Sequence, residues 1–286
     1  AFVRMEAGTN LIGGQPFSLE NLEEVGNVCK KHKIRLILDA SLLTDNLFFI
    51  KTREEKCKNM SIEEITRKIA DQCDIIYFSG RKFGSARGGG IMLNNEEEFK
   101  SMRELITLFE GFITYGGMSI MEIEALNIGI QESMDFNMIN QGPEFIKFLT
   151  NELIKNNVPV VTPNGGLGLH LDASQFLSHI KKDEYQSASL ASALFIVSGI
   201  RAMERGTVSE NRNPDGSEHF ASMELLRLAV PRRVFSLSHM KFVIDRITWL
   251  HKNRELIGGL KFIEEPKVLR FFLGKLAPTS DWQDKL

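Results

Sequence analysis

The sequence predicts an α/β fold, with a mostly parallel sheet in its first half and a smaller α+β domain in its second. Up to about residue 100, apolar strand-like runs alternate with stretches of helical period, the pattern of a parallel sheet crossed by helices. Beyond about residue 140, short strand candidates follow one another and a long helix closes the series. That change of texture places a domain break within 135–142, giving domains 1–138 and 139–286. Composition agrees: 286 residues, 43% hydrophobic and 25% charged, are ordinary for a globular chain of one large or two medium domains.

Each element has its own signal. Ser18 can cap a helix on which Leu19, Leu22, Val25, Val28 and Cys29 keep helical spacing. Lys30, Lys31 and His32 close it, where the helix dipole favours cations. The run 34–38 reads as a strand ending on Asp39, and Ser61 with Glu64 forms a capping box opening the next helix. A second strand, 75–78, runs into Ser79, Gly80, Arg81 and Lys82; a third, 90–93, precedes a helix opening near Asn95. In the second half a helix at 144–156 leads into strand candidates at 158–161, 167–171, 200–203 and 225–230. A final helix runs from about Ser236 to Lys252.

Charge is balanced, 35 basic against 37 acidic residues, so neither nucleic acid nor an anionic membrane is an expected partner. The longest apolar runs, such as Leu47, Phe48, Phe49 and Ile50, fall far short of the ~20 residues that span a bilayer. A secretory leader is not expected. Cys29, Cys57 and Cys73 show no CxxC spacing and read as reduced thiols of a cytoplasmic protein. Six histidines without HExxH spacing give no expected metal site.

Functional groups of open parallel sheets gather at the carboxyl ends of strands, where Asp39 and Lys82 both stand. A carboxylate and an amine so placed suit pyridoxal phosphate (PLP): the amine bonds the cofactor and the carboxylate keeps its pyridine nitrogen protonated. Taken alone, the pair equally fits an ion pair at a strand edge and a capping aspartate. No GxGxxG precedes Asp39, which weakens a nucleotide-ribose role, and the glycines at 88–90 are not a Walker loop.

Eight motifs stand in order: Asn10-Leu11-Ile12-Gly13-Gly14-Gln15-Pro16; Leu38-Asp39-Ala40; Ser79-Gly80-Arg81-Lys82; Gly89-Gly90; the stretch 110–117 from Glu110 through Tyr115 to Gly117; Met203-Glu204-Arg205-Gly206; the stretch 227–233 from Arg227; and 265–272, ending Arg270-Phe271-Phe272. On these the chain resembles the tryptophanase and tyrosine phenol-lyase family of PLP-dependent β-eliminating lyases, from near residue 3 to about residue 275. The resemblance implies a PLP-dependent transferase-like fold (fold type I) and a site assignable residue by residue. Lys82 matches the Schiff-base lysine that also moves the α-proton, Asp39 the pyridinium partner, Asn10 a contact of the cofactor's 3-oxygen and Ser79 a neighbour of its phosphate. Arg227 matches the arginine of the α-carboxylate and Tyr115 an active-site tyrosine. Met203 and Phe271 flank the leaving group, and Arg205 stands where phenol-lyases carry arginine, able to stabilise a phenolic oxygen. These choices imply a tyrosine-like substrate; tryptophan, cysteine and serine are the alternatives, with transamination a different PLP reaction.

The chain also departs from the family pattern. Leu42 replaces an arginine near the cofactor, Phe83 a carboxylate after the lysine, and Leu167 a histidine. Those changes also suit a non-catalytic relative acting as a structural subunit. The resemblance implies use of a monovalent cation such as potassium, although Arg87 stands where one ligand's residue would be asparagine. Family members are longer, which leads to the expectation of an N-terminal companion chain or missing N-terminal half supplying the phosphate loop. A homotetramer is implied by the resemblance.

Overall fold

The computed structural model describes residues 1–84, 86–231 and 234–286; Arg232 and Arg233, at the end of the 227–233 motif, lie outside the described residues. The chain divides into two compact units, one formed by Ala1–Thr9 with Gln15–Gln141, the other by Asn10–Gly14 with Gly142–Leu286.

The first unit is built on four strands in the order β1 (Phe2–Glu6), β2 (Arg35–Asp39), β3 (Ile75–Ser79), β4 (Gly89–Leu93). The pairings β1–β2 and β2–β3 are parallel, whereas β3–β4 is antiparallel. The third predicted strand thus turns back against the parallel expectation. Its connection holds little more than the four-residue helix α4 (Gly80–Phe83), shorter than the dozen or so residues a parallel crossover requires. Between β1 and β2 runs α1 (Leu19–His32), where the Ser18 hydroxyl accepts from the Asn21 amide. Leu19, Leu22 and Cys29 are buried on it, but Val28 is 57% exposed, on the rim of the helix rather than its core face.

Two helices follow β2. The helix α2 (Leu43–Arg53) has no counterpart in the sequence reading: residues 43 to 50 are all buried, so it lacks the one-sided apolar stripe that marks a surface helix. The helix α3 (Ile62–Ala70) starts at the Ser61/Glu64 capping box and buries Ile62, Ile65 and Ile69. Then come α5 (Glu96–Phe109), α6 (Ile120–Glu132) and α7 (Phe136–Ile139). Where α4 meets α6, a Cβ on Gly129 would overlap the Gly84 carbonyl, so the two backbones touch. No residue of α5 is buried; Leu108 and Phe109 are each 72% exposed, and Phe112, Ile120 and Met121 are exposed beyond it.

The second unit holds α8 (Gln141–Lys155) and an antiparallel sheet in the order β5 (Gly168–Asp172), β7 (Leu225–Ala229), β6 (Met203–Arg205). The helices α9 (Ala173–Phe176), α10 (Gln186–Ser198) and α11 (Leu237–Lys252) cover it. Strands β8 (Leu260–Glu264) and β9 (Lys275–Pro278) pair on either side of α12 (Arg270–Leu273). The expected strand at 158–161 reduces to one bridge, Val160 to Leu171. The strand expected at 200–203 begins only at Met203, because Gly199 ends α10 in the left-handed conformation and the chain must turn first. The segment Asn10–Gly14 joins this unit because the Gly166 amide donates to the Gly14 carbonyl at 2.8 Å, an approach a Cβ on Gly14 would block.

Candidate active site

Strand ends in the first unit gather one group. Asp39 ends β2, opposite Glu6 on β1 and Tyr77 on β3. The Ser41 amide donates to Asp39 Oδ1 at 3.0 Å, and the Ser41 hydroxyl accepts from the Ser79 amide at 3.1 Å. Ser41 therefore ties the aspartate to Ser79 across two strands. Burial, and next a hydrogen bond to Asp39, push the Tyr77 hydroxyl above its ordinary pKa, so it remains a neutral donor to the carboxylate. Neither Ser41 nor Tyr77 stands out in the sequence; the parallel register of β3 on β2 places Tyr77 beside Asp39.

Lys82 lies in α4, exposed and without an ion pair among the described residues. Gly80 sets this short helix: its amide donates to the Gly88 carbonyl at 2.7 Å, and a Cβ there would sit about 3.0 Å from the Ala86 and Arg87 carbonyls. Phe83 faces the core, 7% exposed, with its ring 5.3 Å from that of Phe78. Leu42, also buried, packs against Gly8. These two of the three departures thus lie in apolar packing, and neither supplies a charge. An oriented carboxylate on a central strand and an unpaired primary amine at the next strand's end form a donor set that fits PLP. Tyr115 is 41% exposed and touches Phe112 at 5.8 Å between ring centroids; it has no hydrogen bond or ring contact with Asp39, Ser79 or Lys82. Arg87 reaches Glu122 at 3.9 Å.

A second group forms within the second unit. Arg227 sits mid-strand on β7, opposite His170 on β5 and Met203 on β6. Its guanidinium donates at 2.9 Å to Asn10 Oδ1 and at 2.9 Å to Met203 Sδ, while its buried Nε has no partner. All these acceptors are neutral, so the positive charge is left uncompensated among the described residues. Burial, then the neighbouring Arg205, lowers the Arg227 pKa to about 10, still cationic at neutral pH. His170, not identified from sequence, is 3% exposed; its Nδ1 lies 3.2 Å from the Gly168 carbonyl and its Nε2 has no partner. Burial, then Arg227, depresses its pKa to about 4, which keeps a neutral ring beside the arginine.

Alternation along β6 separates the residues of the Met203-to-Gly206 motif. Glu204 turns inward and accepts from the Gly206 and Val208 amides at 2.7 and 3.2 Å and from Ser209 Oγ at 2.5 Å. Gly206 has no room for a side chain against the Glu224 carboxylate. Arg205 makes no ion pair with an acid among the described residues; its guanidinium carbon lies 5.4 Å from the Phe271 ring centroid, a cation–π contact. A cavity of about 600 Å³ is lined by Met203, Phe271, Ile196, Ala202 and Phe272.

The profile of the family described as "Beta-eliminating lyase" matches residues 1–246. The tyrosine phenol-lyase of Symbiobacterium thermophilum is 39% identical over 281 residues, covering 98% of this chain and 61% of that protein. That of Pasteurella multocida is 38% identical, covering 97% and 61%. The chain thus spans 61% of the length of these curated relatives. Among solved structures, serine palmitoyltransferase from S. paucimobilis with bound PLP–myriocin has a TM-score of 0.59 at 15% identity, covering 90% of this chain and 56% of that one. Leishmania major threonine aldolase has a TM-score of 0.54 at 14% identity, covering 87% and 61%. At such identities the likeness establishes the architecture, that of PLP-dependent fold type I. With the profile covering most of its length and close to two fifths of its residues shared with those relatives, the chain belongs to the β-eliminating lyase family of PLP-dependent enzymes.

Proposed function

We propose that this chain carries the lysine and the substrate-binding arginines of a PLP-dependent carbon–carbon lyase that converts a tyrosine-like amino acid and water to a phenol, pyruvate and ammonia. The observation that supports it most is the pair of guanidinium groups, Arg227 and Arg205, neither of which is ion-paired with an acid among the described residues. A buried cation without a counter-charge is costly, and a substrate carboxylate relieves it. Bound PLP supplies an electron sink for the pair released from the α-carbon. Asp39, oriented by Ser41 and Tyr77, holds the proton on the pyridine nitrogen. Lys82 would be the residue that holds the cofactor, and its Nζ would be the base for the substrate's α-proton. Ser79 would contact the phosphate and Asn10 the 3-oxygen, as the resemblance implies. Arg227 grips the α-carboxylate with two parallel N–H bonds. Arg205, backed by Phe271 and beside Met203, faces the oxygen on which charge develops as the leaving group departs. Tyr115 would supply a further hydroxyl, as the resemblance implies.

An N-terminal companion segment would cradle the cofactor phosphate, and the assembly is a cytoplasmic homotetramer on this reading. Among the described residues no helix is long and apolar enough to cross a membrane. Cofactor added to the chain with its companion should give a visible band that borohydride bleaches, and pyruvate should form from tyrosine. A band that persists in Lys82→Ala would overturn the assignment. The second reading, a non-catalytic relative, draws on Leu42 and Phe83, which fill apolar packing where the family pattern has charge; it predicts cofactor binding without pyruvate release.

A further inference from the structure

Arg270 is 4% exposed, yet all five of its N–H donors are engaged. Its Nε donates to the Glu210 carbonyl at 2.7 Å, and Nη2 to the Thr207 carbonyl at 2.6 Å and Glu218 Oε1 at 2.7 Å. Its Nη1 donates to Glu218 Oε2 at 3.2 Å and Glu265 Oε1 at 3.0 Å. Glu265 is gripped in turn by Arg212 through two bonds of 2.7 Å, and Glu218 accepts from the Tyr185 hydroxyl at 2.9 Å. These partners belong to two separate stretches. Thr207, Glu210 and Glu218 follow Arg205 in the loop leaving β6, whereas Glu265 precedes α12, the turn that presents Phe271. Arg270 fastens one stretch to the other.

The turn needs such a fastening. Leu269, just before it, has φ of 58°, left-handed for a branched residue, and its side chain is 57% exposed. Packing of Leu269 therefore does not hold that backbone; its carbonyl accepts from the Phe272 and Leu273 amides at 2.9 and 3.0 Å, and the neighbouring buried Arg270 anchors the turn to the rest of the unit. One residue beyond the anchor, the Phe271 ring meets the Arg205 guanidinium at 5.4 Å and the Phe272 ring edge-on at 4.9 Å.

We propose that Arg270 is a positioning residue for the leaving-group end of the site: by joining the loop after Arg205 to the turn before Phe271, it fixes their stack and so which leaving group is accepted. This deepens the lyase reading and rests on it. Lysine at 270 keeps the charge but brings three donors from one point, too few and wrongly arranged for five acceptors.

The test uses the cofactor-loaded enzyme with two substrates, tyrosine and an S-alkylcysteine, whose leaving group is small. Arg270→Lys should lower kcat/KM for tyrosine about tenfold or more while the S-alkylcysteine value changes by less than about threefold. Equal losses on both, or none, overturn the proposal. A second measurement is independent of turnover: 4-fluorophenylalanine at position 271, read by ¹⁹F NMR in the same protein. Arg205→Met defines the resonance of the unstacked ring. Arg270→Lys should move the signal toward that position, and Glu218→Gln should move it the same way by less, with Arg270 itself intact. A signal unmoved in the folded variants refutes the positioning role. If the parent enzyme cleaves neither substrate, the lyase reading fails while the fluorine result still decides the role of Arg270.

Discussion

Replacing Arg227 by lysine tests the carboxylate assignment most directly. The guanidinium is held in its plane by Asn10 Oδ1 and Met203 Sδ, each at 2.9 Å, and meets no acid among the described residues. A substrate carboxylate can then take two parallel N–H bonds from it, of which an ammonium group reproduces one. Losing one charge-assisted bond costs about 1.5–3 kcal/mol, or about 10- to 150-fold in kcat/KM. Direct loss of activity would not distinguish this from general damage, so the informative quantity is a ratio. In the cofactor-loaded enzyme, kcat/KM is measured for the amino acid and for its α-carboxamide, which lacks the anionic group. Arg227→Lys should narrow the preference for the acid by the factor above, leaving the amide nearly unaffected. Parallel losses on acid and amide would refute the reasoning and return Arg227 to a packing role.

Two further expectations concern the scaffold. Gly129→Ala places a methyl on the Gly84 carbonyl and should destabilise the first unit by about 3 kcal/mol, read as a fall in denaturant midpoint at unchanged slope; a neutral result would mean that α4 and α6 separate freely. Burial holds the Glu204 carboxyl up at about 7, above its usual 4.5, so the folded state binds this proton more tightly than the unfolded chain. Stability from this group is therefore complete below about pH 4.5 and declines as pH rises through about 7, by roughly 3 kcal/mol in all. Glu204→Gln should flatten that part of the stability profile, and an unchanged slope would exclude Glu204 as its source.

Much of this was legible in the residues themselves, for reasons that differ by element. Helices α1 and α3 declare themselves because each pairs a side-chain cap with one apolar face, which solvent enforces on the other side. Helix α2 does not, since burial on every side erases that period. The direction of β4 depends on the length of one turn rather than on any property of the strand. Asp39 and Lys82 stood out because strand ends collect chemistry in open sheets. His170 did not, and Arg270 showed only as part of a motif without a role, because a histidine in a strand and an arginine at a helix start look ordinary until their neighbours are known. What distinguishes them is burial combined with the state of their donors: an orphaned nitrogen in one case, five satisfied ones in the other.

The five residues from Asn10 to Gly14 carry a consequence for heredity. Because the second unit takes in a piece encoded inside the first, no single cut in the gene delivers the second unit complete, or the first without that piece. A recombination point near codon 141 would strip Arg227 of the Asn10 amide oxygen, an acceptor specified 217 positions earlier. Shuffling one unit onto a foreign partner therefore demands a matching graft at the other end of the reading frame.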